Sequence, residues 1–328
     1  MDEHKGGYRL VDWLTQGYLA VVAAGIVLFG PGRLAHWPLY LLAHAVAMAL
    51  VHGLIRRAEG DGRPAVRFVR AFYPFLLYSF FYSETHLLDD LIVTRHLDGA
   101  FIDMDQRLFG RQLCRAMMAA HPQAWVAELL YFAYFSYYVM VFGVGLALYR
   151  LRPRRHFRRY VTVLSVVFYV CYLTYIVLPV MGPHGTHVGV VFSGTLASVG
   201  PLTAPPSVRS AVFYRIMVRL YDLVEPEGGA AFPSSHVAVA LTTLWFTWTH
   251  FRKVRLAHLV LVILLCISTV YCGYHYAVDV LGGIVTAALL APAGLWMVRR
   301  AEARQRGSVR EGVRVPAAAG AGCGSSDA

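Results

Sequence analysis

Long apolar runs separated by short polar stretches repeat along almost the whole chain. A transmembrane helix needs about 17–25 mainly apolar residues. By this measure the pattern predicts eight transmembrane or membrane-embedded helices, at roughly 14–30, 36–55, 68–83, 125–149, 157–180, 236–251, 256–273 and 277–298. The third and sixth runs are the shortest, and the break between the last two, near Tyr274, is weakly marked. The predicted fold class is all-α, a polytopic membrane helical bundle.

The composition agrees with this pattern. Of the 328 residues, 57% are hydrophobic and 15% are charged, which is too apolar for an ordinary soluble domain. The formal net charge of +11 comes almost entirely from arginine. Because basic residues collect in the cytoplasmic loops of membrane proteins, we expect the lipid bilayer as a partner and no nucleic acid.

The cysteines do not indicate a metal site. The five of them form no CxxC pair and no ligand spacing, and they stand at Cys114, Cys171, Cys266, Cys272 and Cys323. We therefore expect neither a zinc site nor a disulfide framework.

Arginines are concentrated in every second connection between the apolar runs. The clusters lie at 56–67, 150–159, 252–255 and 299–300. If the runs alternate with both termini on one side, all four clusters share that side, which the positive-inside rule makes cytoplasmic. The start of the sixth run and the turn between the last two then lie at the opposite surface. The N-terminus lacks the marks of a cleaved signal peptide, so the first run is expected to be retained.

The first candidate for chemistry is the stretch from Ser268 to Gly283, where His275 and Asp279 stand four residues apart in an apolar run. On a helix such residues share a face, so the carboxylate reaches the imidazole. A carboxylate on one ring nitrogen makes the other nitrogen a better base or nucleophile. The alternative is a buried pair that only ties helices together.

The second candidate is the stretch from Gly228 to Ala240, in which Ser234, Ser235 and His236 precede a long apolar run. Serine before such a run is an N-cap signal. A helix N-terminus suits a phosphate, and His236 in the first turn would lie beside it. The alternative is an ordinary capped helix. The predicted orientation brings His236 and His275 to the same membrane surface, which favours one shared site.

Together the two stretches resemble the PAP2 superfamily of type 2 phosphatidic acid phosphatases, and within it the inositol phosphorylceramide synthase-like branch of inositolphosphotransferases. The family motif Pro-Ser-x-His is matched at 233–236, and the spacing of Ser268, His275 and Asp279 fits the family's third motif. The branch forms Phe-Pro-Ser-x-His and His-Tyr-x-x-Asp are matched at 232–236 and 275–279. The resemblance implies a PAP2-like catalytic core within the helical bundle.

The chain departs from the family pattern at two cationic positions. Thr269 stands where the third motif usually has arginine. The first motif, lysine followed after six residues by Arg-Pro, is absent, because the only lysines are Lys5 and Lys253. These departures favour the phosphotransferase-like branch over simple phosphatidate hydrolysis.

The resemblance implies a mechanism without metal or cofactor. His275 would attack phosphorus and form a phosphohistidine, Asp279 would orient its ring, and His236 would supply and take up a proton. The N–H groups around Ser234 and Ser235 would hold the phosphoryl oxygens. Further substrate contacts are expected from Ser268 and from His184, which stands where the branch often has a basic residue. For a lone loop histidine, simple exposure is the alternative. The substrate would be a lipid phosphate or phospholipid head group.

Other segments give weaker indications. The segment 84–124 is predicted as an outer connector, amphipathic over Phe101–Met118 and solvated rather than catalytic. The aromatic residues at 131–138 would line a lipid groove or serve packing. A short helix at Ser210–Val224 is expected to cover the site. We divide the chain into N-terminal helices and outer segment (1–124), a catalytic membrane domain (125–300) and a disordered cytoplasmic tail (301–328).

Two other functions stay open from the sequence alone. A lipid transporter or scramblase would use the histidines as a proton relay, and an inactive scaffold would keep the fold without turnover. The sequence specifies neither the lipid, the acceptor nor the oligomeric state. The many Arg, Ala and Gly residues suit a high-GC bacterium, which predicts the inner (cell) membrane with the site facing the periplasm.

Overall fold

The eight apolar runs all correspond to long helices in the structure, a computed structural model that describes residues 7–184, 202–224 and 230–313. Within these ranges the chain is helical and contains no strand. The long helices are α1 (Leu10–Phe29), α2 (Trp37–Gly60), α3 (Pro64–Leu87), α6 (Ala124–Leu151), α7 (Arg154–Val177), α10 (Ser235–His250), α11 (Arg255–Tyr271) and α12 (Ala277–Val313). The short ones are α4 (Asp98–Phe109), α5 (Leu113–Ala120), α8 (Pro206–Arg209) and α9 (Val212–Val224).

Five of the helices are long and apolar enough to cross a bilayer, namely α1, α2, α6, α7 and α12. The helix α11 is apolar but has only 17 residues. Of the others, α3 carries Arg70 and Glu84, and α10 has 16 residues. The protein is thus an all-helical integral membrane protein with a polytopic bundle, as the sequence predicts.

The helix α7 forms the centre of the bundle. It is buried on most sides, and the large side chains of Tyr160, Tyr172 and Tyr175 are fully enclosed. The helices α10 and α12 pack on it, and α6 and α11 pack in turn on α10. The helices α1 and α3 lie against α7 as a further group with α2. This arrangement holds the start of α10 and the start of α12 in the bundle interior.

The outer segment is less solvated than the sequence predicts. Two of its aspartates, Asp98 and Asp105 on α4, have no solvent exposure. The helix α4 packs against α12, so this part of the segment belongs to the core around the site. The expectation of a solvated connector is therefore wrong for α4.

The last helix is longer than predicted. It continues through Arg300, where the sequence predicts the start of a disordered tail, and ends at Val313. The rest of the predicted tail, 314–328, lies outside the described residues, as does most of the long loop before α8.

Candidate active site

The start of α10 places His236. Ser234 is the N-cap residue, and its Oγ accepts a hydrogen bond from the Val237 N–H at 3.4 Å. This satisfies one of the otherwise unpaired N–H groups of the first turn. The predicted N-cap is thus confirmed. His236 is the second residue of the helix, and its side chain is buried.

The spacing of His275 and Asp279 predicts that both lie on one helix face. This is wrong for His275, which lies in the turn before α12 begins at Ala277. Asp279 is the third residue of α12, and its Oδ2 accepts from the Tyr276 N–H at 2.7 Å. This is the position from which an acidic side chain caps a helix start. Asp105 of α4 accepts from the next two N–H groups, of Ala277 and Val278, at 3.1 and 2.9 Å.

The two motif histidines meet in the bundle interior. His275 Nε2 lies 3.5 Å from His236 Nδ1, and the ring centroids are 5.6 Å apart. Both side chains are buried. Two imidazoles from separate parts of the chain therefore face one another, which is the geometry that one shared site requires.

A main-chain carbonyl orients the His275 ring more directly than the carboxylate does. His275 Nδ1 lies 2.9 Å from the Ala231 carbonyl oxygen and 3.6 Å from Asp279 Oδ2. Because a carbonyl only accepts, Nδ1 carries the proton and donates it, and Nε2 keeps its lone pair toward His236. Burial lowers the pKa of His275 to about 4, against the opposing effect of the Ala231 hydrogen bond. The ring is thus neutral at pH 7.

Glycines let α12 approach the start of α10. A Cβ at Gly283 would lie 2.6 Å from the Ser234 carbonyl oxygen, and one at Gly282 would lie 2.5 Å from the Phe232 ring. The close approach also allows the Ser234 N–H to donate to the Asp279 carbonyl at 3.1 Å. The two motif segments are therefore joined backbone to backbone.

Comparison with protein families identifies the family of the chain. The PAP2 superfamily profile matches residues 100–293, which is more than half of the chain and includes both histidines. The chain belongs to the PAP2 superfamily. No curated protein and no solved structure matches it. Membership supports a phosphatase-type activity on lipid phosphates.

The backbone donors expected to hold phosphoryl oxygens are already used in this PAP2 protein. The Ser234 N–H donates to Asp279, and the Ser235 N–H donates to the Tyr175 hydroxyl at 3.1 Å. The Tyr175 hydroxyl donates in turn to the Pro233 carbonyl at 2.9 Å. Within the described ranges, the His236 N–H is the first-turn donor of α10 that has no acceptor. It is a better candidate for an oxyanion contact than the two serine N–H groups.

A tyrosine that sequence reasoning did not single out lies against His236. The Tyr134 hydroxyl is 3.3 Å from His236 Nε2 and 3.4 Å from Nδ1. It also lies 2.5 Å from the Tyr221 hydroxyl on α9, so the short helix predicted at Ser210–Val224 exists and reaches the site. The only sequence signal for Tyr134 was the aromatic run on α6.

The rings of Tyr134, Tyr221 and Tyr274 form an aromatic wall that continues toward the loop after α7. The Tyr221 ring stacks on Tyr274 with centroids 4.1 Å apart, and the His184 ring lies 5.3 Å from the Tyr274 ring. Two rings, those of Tyr274 and Tyr134, thus lie between His184 and His236. Its role as a phosphate contact stays a prediction.

The same loop is held by a second residue that sequence reasoning missed. Asp98 accepts from the N–H groups of Met181 and Gly182 at 3.0 and 2.9 Å, and from the Tyr276 hydroxyl at 2.9 Å. The loop that carries His184 and the turn that carries His275 are therefore tied to one buried carboxylate.

Among the described residues, Ser268 forms no hydrogen bond to either histidine. It is fully buried, and its hydroxyl donates to the Leu265 carbonyl of its own helix at 2.8 Å. Thr269, in place of the family arginine, offers its carbonyl to the His275 N–H at 3.1 Å. In the part of the chain that the structure describes, no lysine or arginine hydrogen-bonds to His236, His275 or Asp279. A substrate-binding role for Ser268 stays a prediction.

Proposed function

We propose that this PAP2 protein is a metal-independent phosphotransferase or phosphatase that acts on a phospholipid head group or lipid phosphate through a phosphohistidine intermediate. The single observation that supports this most is the 3.5 Å contact between His275 Nε2 and His236 Nδ1. It joins a buried, neutral imidazole with a free lone pair to a second imidazole able to carry a proton.

In the first step, His275 Nε2 attacks the phosphorus atom. The bond between phosphorus and the leaving oxygen breaks, and protonated His236 gives its proton to that oxygen. The positive charge that develops on the His275 ring is stabilised through Nδ1 by the Ala231 carbonyl and, at 3.6 Å, by the Asp279 carboxylate. The two nitrogens are in direct contact at 3.5 Å, so the rings must move apart to admit the substrate. The phosphoryl group then takes the place of this contact.

In the second step, neutral His236 takes a proton from the incoming acceptor, whose oxygen attacks phosphorus as the bond to His275 breaks. This restores both histidines to their starting states, by microscopic reversibility. An alcohol as acceptor makes the protein a phosphotransferase, and water makes it a phosphatase.

Transfer of a head group to an alcohol is the favoured activity. The missing motif-one lysine and arginine and Thr269 leave the site short of cations. A phosphodiester in a phospholipid carries one negative charge where a phosphate monoester carries up to two, so it needs less positive charge for binding. This agrees with the resemblance to the inositol phosphorylceramide synthase-like branch.

The test is an assay of purified protein with radiolabelled phospholipids that follows free phosphate and head-group exchange together. We expect exchange to exceed phosphate release, and vanadate to inhibit both because it mimics five-coordinate phosphorus. His275→Ala and Asp279→Asn should abolish turnover while the protein still inserts. His250→Ala is the matched control, since His250 ends the helix whose first turn contains His236.

Trapping of the intermediate separates the mechanism from its alternatives. After rapid quenching with label in the transferred group, wild type should hold an acid-labile label that His275→Ala lacks. Wild-type turnover by His275→Ala would reject the enzyme proposal. Lipid movement across vesicles without bond cleavage would instead identify a transporter or scramblase, and neither activity would leave an inactive scaffold.

A further inference from the structure

A cavity lies at the end of the bundle remote from the histidines. Its volume is about 510 Å³, and it is bounded by the N-terminal segment, the turn between α2 and α3, the end of α6 and the start of α7. Along α7, Arg158 in this cavity is 17 residues from Tyr175 at the histidine site. That spacing is roughly 26 Å in an α-helix. The cavity and the histidine site are therefore separate.

The cavity gathers five arginines from three parts of the chain, the N-terminal segment and the starts of α3 and α7. They are Arg9, Arg67, Arg70, Arg154 and Arg158. The two acidic residues of its wall have partners elsewhere. Glu59 forms an ion pair with Arg56 at 3.3 Å, and Asp61 accepts from the Arg63 side chain at 2.9–3.0 Å. In the part of the chain that the structure describes, neither acid forms an ion pair with a cavity arginine, so positive charge predominates.

One of the five arginines has its counter-ion. Arg70 forms two hydrogen bonds with the buried carboxylate of Asp12, which also accepts from the Tyr73 hydroxyl at 2.6 Å. In the described ranges, Arg9, Arg67 and Arg158 form no ion pair. Burial and the nearby charges of Arg70 and Arg158 lower the pKa of Arg9 to about 10, as expected where positive charge is left uncompensated.

The helices add to this potential. The helices α1, α3 and α7 begin at the cavity, whereas α2 and α6 end there, so the positive ends of three dipoles outnumber the negative ends of two. The first turns of α3 and α7 contain no acidic residue. The remaining wall is partly apolar, with Ile55, Tyr149 and Phe157. The cavity thus combines a cationic centre with an apolar surface beside it.

We propose that this cavity binds the phosphate group of an anionic ligand, and that the ligand is an acidic phospholipid whose phosphodiester contacts Arg9, Arg67 and Arg158. Guanidinium groups match phosphate oxygens in charge and geometry, and basic pockets between transmembrane helices hold anionic head groups. Val69 and Leu151, two residues beyond Arg67 and Tyr149, are exposed apolar side chains, so acyl chains have a surface to lie on. The site does not depend on the proposed function.

Native mass spectrometry of the full chain in detergent measures this binding, with dioleoyl phosphatidylglycerol as the probe. All proteins carry His275→Ala so that the probe is not consumed. Removing two charges with Arg67→Gln and Arg158→Gln should raise the dissociation constant roughly 25-fold, from about a fivefold loss for each arginine. Both side chains are exposed, so the variant is expected to fold.

The matched control removes two charges from the same end of the bundle but outside the cavity, with Arg252→Gln and Arg299→Gln, and should bind like the parent. Inorganic phosphate is added at the same concentration as phosphatidylglycerol. If it displaces the lipid, the cavity binds phosphate groups and free phosphate is the ligand; if it does not, the ligand is the lipid. If the cavity variant keeps the parent's affinity for phosphatidylglycerol, or loses no more than the control, the proposal is overturned.

Discussion

At the scale of single residues, the hydroxyl of Tyr134 sets the environment of His236. It lies within 3.4 Å of both ring nitrogens, and a partner so placed fixes the ring and its protonation. Tyr134→Phe removes only this oxygen and is expected to lower kcat/KM roughly tenfold, the effect of one lost hydrogen bond of about 1.4 kcal/mol. Steady-state kinetics on the radiolabelled lipid measures the loss.

The chain supplies a matched control on the same helix. The Tyr137 ring packs on His236 with centroids 4.4 Å apart, but its hydroxyl makes no hydrogen bond to that histidine in the described structure. Tyr137→Phe should therefore retain wild-type kinetics. Equal losses in the two variants would mean that the contact of the Tyr134 hydroxyl with His236 is not the cause of the loss.

The protonation of His275 leads to a pH prediction. Burial lowers its pKa to about 4, so its Nε2 lone pair survives until the pH falls near 4. The acidic limb of kcat/KM, which reports the essential base of the free enzyme, is expected near pH 4 and not near 6.5. An acidic limb at pH 6–7 in folded protein would contradict a neutral, buried nucleophile.

Folding must be followed over the same range, because the lowered pKa also links stability to pH. The unfolded chain takes up the His275 proton near pH 6.5, whereas the folded protein takes it up only near pH 4. The stability that comes from keeping this ring neutral is complete above pH 6.5 and falls as the pH drops from 6.5 to 4. Circular dichroism at each pH separates unfolding from loss of activity.

At the scale of helices, local pattern predicted the elements but not their long-range partners. Eight apolar runs became eight long helices because hydrophobic periodicity is a local property. The Ser234 N-cap was predictable for the same reason. Asp105 was not, because it caps α12 from a position 172 residues earlier, and no local pattern marks that pairing.

The spacing of His275 and Asp279 was informative for a different reason than expected. The spacing predicts one shared helix face, but His275 precedes the helix and Asp279 caps its start. The identity of the residues predicted the site, whereas the backbone geometry between them depends on the turn. The role of Tyr134 could not be predicted either, because Tyr134 and His236 are 102 residues apart in the sequence.

The junction of α10 and α12 predicts the effect of adding one methyl group. Gly283→Ala places a Cβ 2.6 Å from the Ser234 carbonyl and 2.9 Å from Val237 Cβ, so the helices must separate. Overpacking of this kind costs about 1–3 kcal/mol, and it also moves His236 from His275. We expect a lower Tm together with loss of turnover.

Gly143→Ala is the control for this change. A Cβ there meets nothing within 4 Å, and alanine is favoured over glycine inside a helix by about 0.5–1 kcal/mol. Its Tm should be unchanged or higher and its activity retained. If Gly283→Ala behaves in the same way, the close approach of α10 and α12 does not hold the site together.

At the scale of the whole molecule, the two ends of the bundle have opposite chemistry. One end holds the histidine pair with an aromatic wall and two buried aspartates on α4, and no arginine contacts the pair in the described ranges. The other end gathers the arginine-rich connections and the starts of α1, α3 and α7. Because basic loops stay in the cytoplasm, this asymmetry predicts that the histidine site faces away from it.

Reporter fusions in a bacterial host test that orientation. A fusion after Arg300 should give active cytoplasmic green fluorescent protein and inactive alkaline phosphatase, because this part of α12 lies on the arginine-rich side, where Glu302 pairs with Arg159 of α7. A fusion after His121, between α5 and α6, should give the reverse result, since Tyr271 donates to the His121 carbonyl at 2.9 Å and so places it at the end of α11 near His275. The same reporter result at both positions would contradict the alternating topology and with it the separation of the histidine site from the arginine cavity.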